Sequence, residues 1–177
     1  MRVNAEPREV SLSDSELAHY HVLFFHGRTS FELTAPEREN LRAYVERCGT
    51  VIADAVCSST KFAESFRREM QAVFPTRPLQ AIPTSDPLFT PAFGGADVTT
   101  VSRRTQKPLV QISQPATETV NVAPTLEGVE FDGRFGVLFS PYDISCALET
   151  EPLGCSGYVR KDAFLIAMNA LLYSLNQ

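Results

Sequence analysis

The chain has 177 residues, 44% of them hydrophobic and 21% charged, which is enough to enclose a sizeable core and excludes a disordered polymer. Its formal charge of −5 comes from acidic and basic residues mixed along the sequence, so neither a nucleic-acid footprint nor a polybasic lipid-binding stretch is present. The longest apolar runs, Val22 to Phe25 and Phe164 to Leu172, are far shorter than the roughly 20 residues that span a bilayer, and no phosphate-binding glycine motif occurs.

Residues 1 to 18 read as an approach segment, with Val3 in a short strand and one helical turn from Leu12 to Leu17 capped by Ser13. Tyr20 to Phe25 is a continuous apolar run, the pattern of a strand buried on both faces, and it delivers His26 at its carboxyl end. Thr34, Pro36 and Glu37 mark a helix start. Leu41, Tyr44, Val45 and Cys48 then recur at helical spacing, so Cys48 is expected to be buried, with Gly49 ending the helix as a C′ glycine. A second buried strand, Thr50 to Val56, breaks on Cys57 and hands over to Ser58-Ser59-Thr60 and a helix at Thr60 to Phe74, with Phe62, Phe66, Met70 and Phe74 on one face. Strand, helix and strand in so few residues imply a right-handed parallel crossover. Arg67-Arg68-Glu69 reads as a solvated face, from which Arg67 also has the reach to meet a carboxylate in the sheet.

From residue 75 to 128 the texture turns to Pro, Thr, Ser and Gly, with β-like pieces at Asp97 to Ser102, Leu109 to Ser113 and Thr119 to Val122. This is expected to be a long loop and hairpin excursion, either a binding loop or a cover over a sheet edge. Val129 to Phe131, the turn Asp132-Gly133, and Phe135 to Phe139 give a third buried strand ending at Ser140-Pro141-Tyr142-Asp143. Residues 144 to 160 read as a loop, and Lys161 to Leu175 as a helix burying Phe164, Leu165, Met168, Leu171, Leu172 and Leu175. Together these elements predict one α/β domain over residues 1–177: three layers, a mainly parallel sheet, and helices on both faces.

In such a sheet the carboxyl ends of the strands share one rim, where His26, Asp54, Cys57 and Asp143 would meet. Cys57 ahead of a helix N-terminus favours a thiolate, with His26 as its base and Asp143 or Asp54 orienting the ring; that is a cysteine-dependent hydrolase. Gly27, Arg28, Asp54, Ser58, Ser140 and Tyr142 would line the same rim and contact a ligand. A metal reading joins His26, Cys57, Cys146 and Cys155, and in an exported protein a Cys146–Cys155 disulfide is expected instead. The plainer alternative has Asp54 and Asp143 capping loops or pairing with Arg67 or Arg134, and Cys57 as a buried thiol. It predicts a ligand- or partner-binding or regulatory module without a cofactor, its partner a small molecule or a protein.

Three blocks carry a resemblance: His26-Gly27-Arg28 through Leu33-Thr34; Ala53-Asp54-Ala55-Val56-Cys57 with Phe66-Arg67 and Phe74-Pro75; and Leu126-Glu127-Gly128 through Ser140-Pro141-Tyr142-Asp143. Over nearly its whole length the chain resembles the uncharacterised bacterial family called domain of unknown function four-one-five-nine. The resemblance implies a flavodoxin-like or class I glutamine amidotransferase-like domain, commonly near the C-terminus of larger exported or membrane-attached proteins, and brings no established activity. Met1 to Glu9 carry no apolar signal core, so the protein is expected to be cytoplasmic if complete and exported or envelope-associated if it is a piece of a longer one. The chain departs from the family pattern in having Val56 and Ser58 around Cys57, and Asp86-Pro87-Leu88-Phe89 where a His-Pro pair is usual.

Overall fold

The computed structural model describes residues 8–106, 117–149 and 155–177, so the strand expected at Val3 and the piece at Leu109 to Ser113 lie outside the described residues. In chain order its elements are β1 (Val22–Gly27), α1 (Ala35–Glu46), β2 (Thr50–Ala55), α2 (Thr60–Val73), β3 (Gln80–Ala81), β4 (Val101–Gln106), β5 (Thr117–Val122), β6 (Glu127–Phe131), β7 (Arg134–Ser140), α3 (Ser145–Glu149), β8 (Gly157–Tyr158) and α4 (Arg160–Leu175). Every residue of β2 is buried, Asp54 included among its apolar neighbours, and β2 lies between two parallel neighbours. Val22 to Gly27 of β1 face Thr50 to Ala55, and Val51 to Asp54 face Val137 to Ser140 of β7.

The expected three-layer, mainly parallel α/β architecture is overturned. Among the described residues only β1–β2 and β2–β7 are parallel, whereas β3–β6, β6–β7, β4–β5 and β4–β8 are antiparallel. The sheets are a five-stranded mixed one, ordered β1-β2-β7-β6-β3, and a three-stranded antiparallel one, ordered β5-β4-β8. Two local causes act. Asp132 and Gly133 have φ of 51° and 89°, the paired left-handed conformation of a two-residue hairpin turn, and such a turn joins only antiparallel neighbours. The β4 and β5 strands of the 75–128 stretch, for their part, build a sheet of their own with β8. That stretch is also more than a cover, since Leu88, Phe89, Val98 and Val101 are buried.

One hydrophobic cluster lies under α1 and α2, with Val45, Phe62, Phe66 and Met70 against Val51, Ala53, Val137 and Phe139. A second joins Ile52 and Leu138 to Leu88, Phe89, Tyr158, Ile166 and Tyr173. Phe66 stacks on Phe139 with ring centroids 4.4 Å apart, which locks α2 over β7. Arg67, on the turn beside it, does reach the sheet: its Nε donates to Glu127 at 2.9 Å.

Helix ends explain two further departures. The N–H of Cys48 donates to Val45 at 3.1 Å and that of Gly49 to Tyr44 at 3.0 Å, the two bonds of a Schellman motif. The left-handed C′ position is therefore Cys48, with φ of 70°, so Cys48 is exposed rather than buried, and Gly49 is needed because a Cβ there would strike the Tyr44 ring. In α4 the buried residues are Ala163, Ile166, Asn169, Ala170, Tyr173 and Ser174, while Phe164 and Leu171 are 56% and 43% exposed. The helix is apolar on most sides, so size did not select its inner face; a polar anchor did. Asn169 donates to Leu88 and Ala96 carbonyls, both at 2.9 Å, and accepts from the Ala96 N–H at 2.9 Å.

Candidate functional site

Because β1, β2 and β7 run parallel, their carboxyl ends lie side by side, with His26 opposite Asp54 and Asp54 opposite Ser140. Beyond β2 the chain makes a 3-10 turn at Val56–Ser58 in which Cys57 and Ser58 both have positive φ, 52° and 57°. Left-handed backbone at a non-glycine residue costs roughly 1–2 kcal/mol, so two in succession mark a strained elbow between strand and helix. Ser59 then caps α2, accepting from the Phe62 N–H at 3.4 Å and donating its hydroxyl to Arg28 at 2.6 Å, which ties the β1 exit to the elbow.

Both carboxylates of the rim point inward. Asp54 is fully buried and one of its oxygens accepts from the Ile144 N–H at 2.9 Å, the Ser145 N–H at 3.0 Å and the Ser145 hydroxyl at 3.0 Å. Burial pushes its carboxyl above the usual range, against the pull of those bonds and of nearby His26. Asp143, also fully buried, accepts from the Cys57 N–H at 2.8 Å and the Ala147 N–H at 2.9 Å. It too is raised, first by burial and then by the charge of Asp54, while the amide bonds oppose the shift. The two acids are thus the loop-capping groups of the plainer sequence reading, and neither pairs with Arg67 or Arg134.

Cys57 is joined to Cys155 by a disulfide with a Cα–Cα distance of 4.9 Å, well inside the range that thiol geometry allows. The Cys146–Cys155 bridge expected from the sequence gives way to this one, because α3 and β8 bring the segment before β8 against the elbow. Gly157 makes that approach possible: its φ is 140°, and a Cβ on it would collide with Asp143, whose carbonyl accepts the Tyr158 N–H at 3.1 Å. Cys146 stands outside the disulfide but beside it, and the ligand atoms of Cys57, Asp143, Cys146 and Cys155 all lie within 4.8 Å of one another. That group contains Asp143 where the sequence reading had His26.

Of the remaining expected residues, Ser140 is buried and shapes the turn through bonds to Tyr142, its hydroxyl donating to the Tyr142 carbonyl at 2.6 Å. Gly27, Ser58 and Tyr142 are half-buried; His26 and Arg28 are exposed. The Ser58 hydroxyl oxygen is buried and has no hydrogen-bond partner among the described residues. The His26 ring packs against Phe24, centroids 5.3 Å apart. Sequence reasoning missed Arg103, whose guanidinium sits 3.7 Å above the Tyr142 ring, because nothing local in β4 ties it to a residue 39 positions later. A cavity of about 430 Å³ lies at the opposite end of the sheet, lined by Glu46, Cys48, Arg77, Phe131 and Arg134, and includes no rim residue.

Fold and site together define an α+β protein with a mixed central sheet, whose strand-end rim is closed by a buried pair of aspartates and a disulfide. The chain belongs to the family described as Domain of unknown function (DUF4159), whose model matches residues 1–175. No curated protein matches it. Among the described residues no helix is long and apolar enough to cross a membrane.

Proposed function

We propose that the protein is a binding module whose rim at the ends of β1, β2 and β7 recognises an acidic ligand or partner. The observation that carries the reading is the division of labour among the rim side chains. Asp54, Asp143 and Cys57, the groups a catalyst would use, are spent on holding loops together, while Arg28 and Lys61 remain exposed beside the N-terminus of α2. The rim therefore offers cations and a helix dipole to solvent and hides its carboxylates, although the whole chain carries −5. Oligogalacturonate and polyglutamate serve as probes. Each is expected to raise the melting temperature of the full chain and to shift amide resonances of residues 26–30 and 58–62, and Arg28→Ala to abolish both effects. Equal responses in Arg28→Ala, or shifts confined to the cavity beside Cys48, refute the reading.

A second reading, a cysteine-dependent hydrolase, is favoured by one feature, the left-handed φ of Cys57 between strand and helix, which has the form of a nucleophile elbow. Against it stands Asp143, whose carboxylate accepts the Cys57 N–H and so opposes a thiolate at that position. Alkylation of Cys57 after reduction, followed against pH, separates the two. A midpoint near the ordinary thiol value of about 8.5 or above removes the enzyme, and strong depression supports it.

A further inference from the structure

Three cysteine sulfurs and a carboxylate meet at one point of the rim, two of the sulfurs joined there as a disulfide. Cys57 comes from the elbow after β2, Asp143 from the turn after β7, Cys146 from the first turn of α3, and Cys155 from the segment entering β8. Stretches up to 98 residues apart in sequence thus deliver donor atoms that all lie within 4.8 Å of each other. Three soft sulfurs and one carboxylate oxygen are a zinc-type donor set. Metal–sulfur bonds of about 2.3 Å and metal–oxygen bonds of about 2.0–2.2 Å place tetrahedral ligands about 3.6–3.8 Å apart, inside the 4.8 Å span of this cluster once reduction lets the Cys57 and Cys155 sulfurs separate. The supporting contacts are already made, since the Asp143 carboxylate is oriented by the N–H groups of Cys57 and Ala147 at 2.8 and 2.9 Å and by that of Cys146, which leaves it a lone pair for a cation.

We propose that the reduced chain binds a thiolate-preferring divalent cation, zinc foremost, through Cys57, Cys146, Cys155 and Asp143, and that the Cys57–Cys155 disulfide is the oxidised, metal-free state of the same site. In the interconversion a dithiol reductant gives two electrons and two protons to the disulfide, leaving Cys57 and Cys155 as thiols and itself as a cyclic disulfide. The divalent ion then displaces one proton from each of the three thiols and is bound by three thiolates and the Asp143 carboxylate, for a net charge of −2 on the centre. All four positions are taken by protein, so the centre is structural and carries no reactive water. The cation also removes the repulsion that the buried carboxylate would exert on adjacent thiolates. The proposal stands apart from ligand recognition at Arg28, because its readout is the metal itself.

The test is titration of the dithiol-reduced, desalted full chain with Co²⁺ under anaerobic conditions, followed by competition with Zn²⁺. The reduced wild type is expected to bind one equivalent with an intense near-ultraviolet thiolate-to-cobalt band that Zn²⁺ abolishes, while the oxidised protein gives no such band. Cys146→Ser retains the disulfide, so its fold is checked in the oxidised form first; after reduction it is expected to keep about two thirds of the band and to bind about tenfold or more weakly. Cys48→Ser, at the opposite end of β2, is expected to behave as wild type. A reduced chain that loses structure and regains it with the band present supports the site. A reduced wild type with no band, or a Cys146→Ser variant with wild-type intensity and affinity, overturns it.

Discussion

Replacing Cys57 and Cys155 together by alanine removes a cross-link that closes a loop of 98 residues. In the chain-entropy treatment a loop of that length restricts the unfolded chain by roughly 16 cal/mol/K, or about 4.7 kcal/mol at 25 °C. Native disulfides generally deliver about 2–5 kcal/mol, against a whole-domain stability of about 5–15 kcal/mol, so the bridge is a major fraction of what holds the protein folded. Alanine at position 57 inherits the same left-handed backbone as cysteine, so the strain of the elbow is unchanged and the comparison isolates the cross-link. Urea unfolding with a chelator present, oxidised wild type against the double variant, is expected to show a stability loss of about 2–5 kcal/mol and a larger m value in the variant, whose unfolded state is less compact. A loss below about 1 kcal/mol with an unchanged m value refutes the claim that this bridge restrains the rim and its distant partner.

Two carboxylates have opposite pH signatures. Burial raises Asp54, so the folded chain keeps that proton to higher pH than the unfolded one; the stabilisation is complete below the ordinary value of about 4 and is lost as pH rises through the folded value. Melting curves from about pH 4 to about pH 8 should therefore show wild type losing ground to Asp54→Asn, and a gain would contradict the assignment. Burial alone would raise Glu69, but Arg38 at 2.9 Å and the Leu33 N–H at 3.2 Å hold it below its usual range, so its contribution is present above that range and lost in acid. Glu69→Gln is expected to cost about 1–3 kcal/mol at neutral pH and less at about pH 3, by denaturant titration at both. On α4, Ile166→Ala should cost about 2–4 kcal/mol and Phe164→Ala no more than about 0.5, the reverse of what side-chain size suggests. Equal losses at the two positions would mean that Phe164 is covered in solution.

The local signals in the sequence were sound where one short-range cause governed them. Apolar runs mark β1 and β2 as strands, although β1 lies at the sheet edge with Phe24 50% exposed and is not buried on both faces; Thr34 with Glu37 marks the start of α1, and Pro75 the end of α2. Long-range partnership was not legible. The Asp132-Gly133 pair is a local signal for an antiparallel β6–β7 hairpin, but nothing near it shows that β7 also pairs in parallel with the distant β2. Cys155 was in view among the candidate ligands, but its pairing with Cys57 depends on Gly157 letting β8 abut Asp143. In α4, hydrophobicity on nearly every side left the inner face to be chosen by Asn169 and its three bonds to the 88–96 segment.

The spacing of the bridged cysteines has a consequence for biogenesis. A ribosome makes the elbow thiol long before residue 155 exists, and until then the nearest sulfur available to it is Cys48, nine positions upstream. In the finished protein those two are held apart by the length of β2, six residues or about 20 Å, so any link between them must be undone before the sheet can form. Oxidant that arrives during translation therefore yields a dead-end species, whereas oxidant that arrives after the last helix has docked yields the native bridge, and recombinant yield should follow that timing.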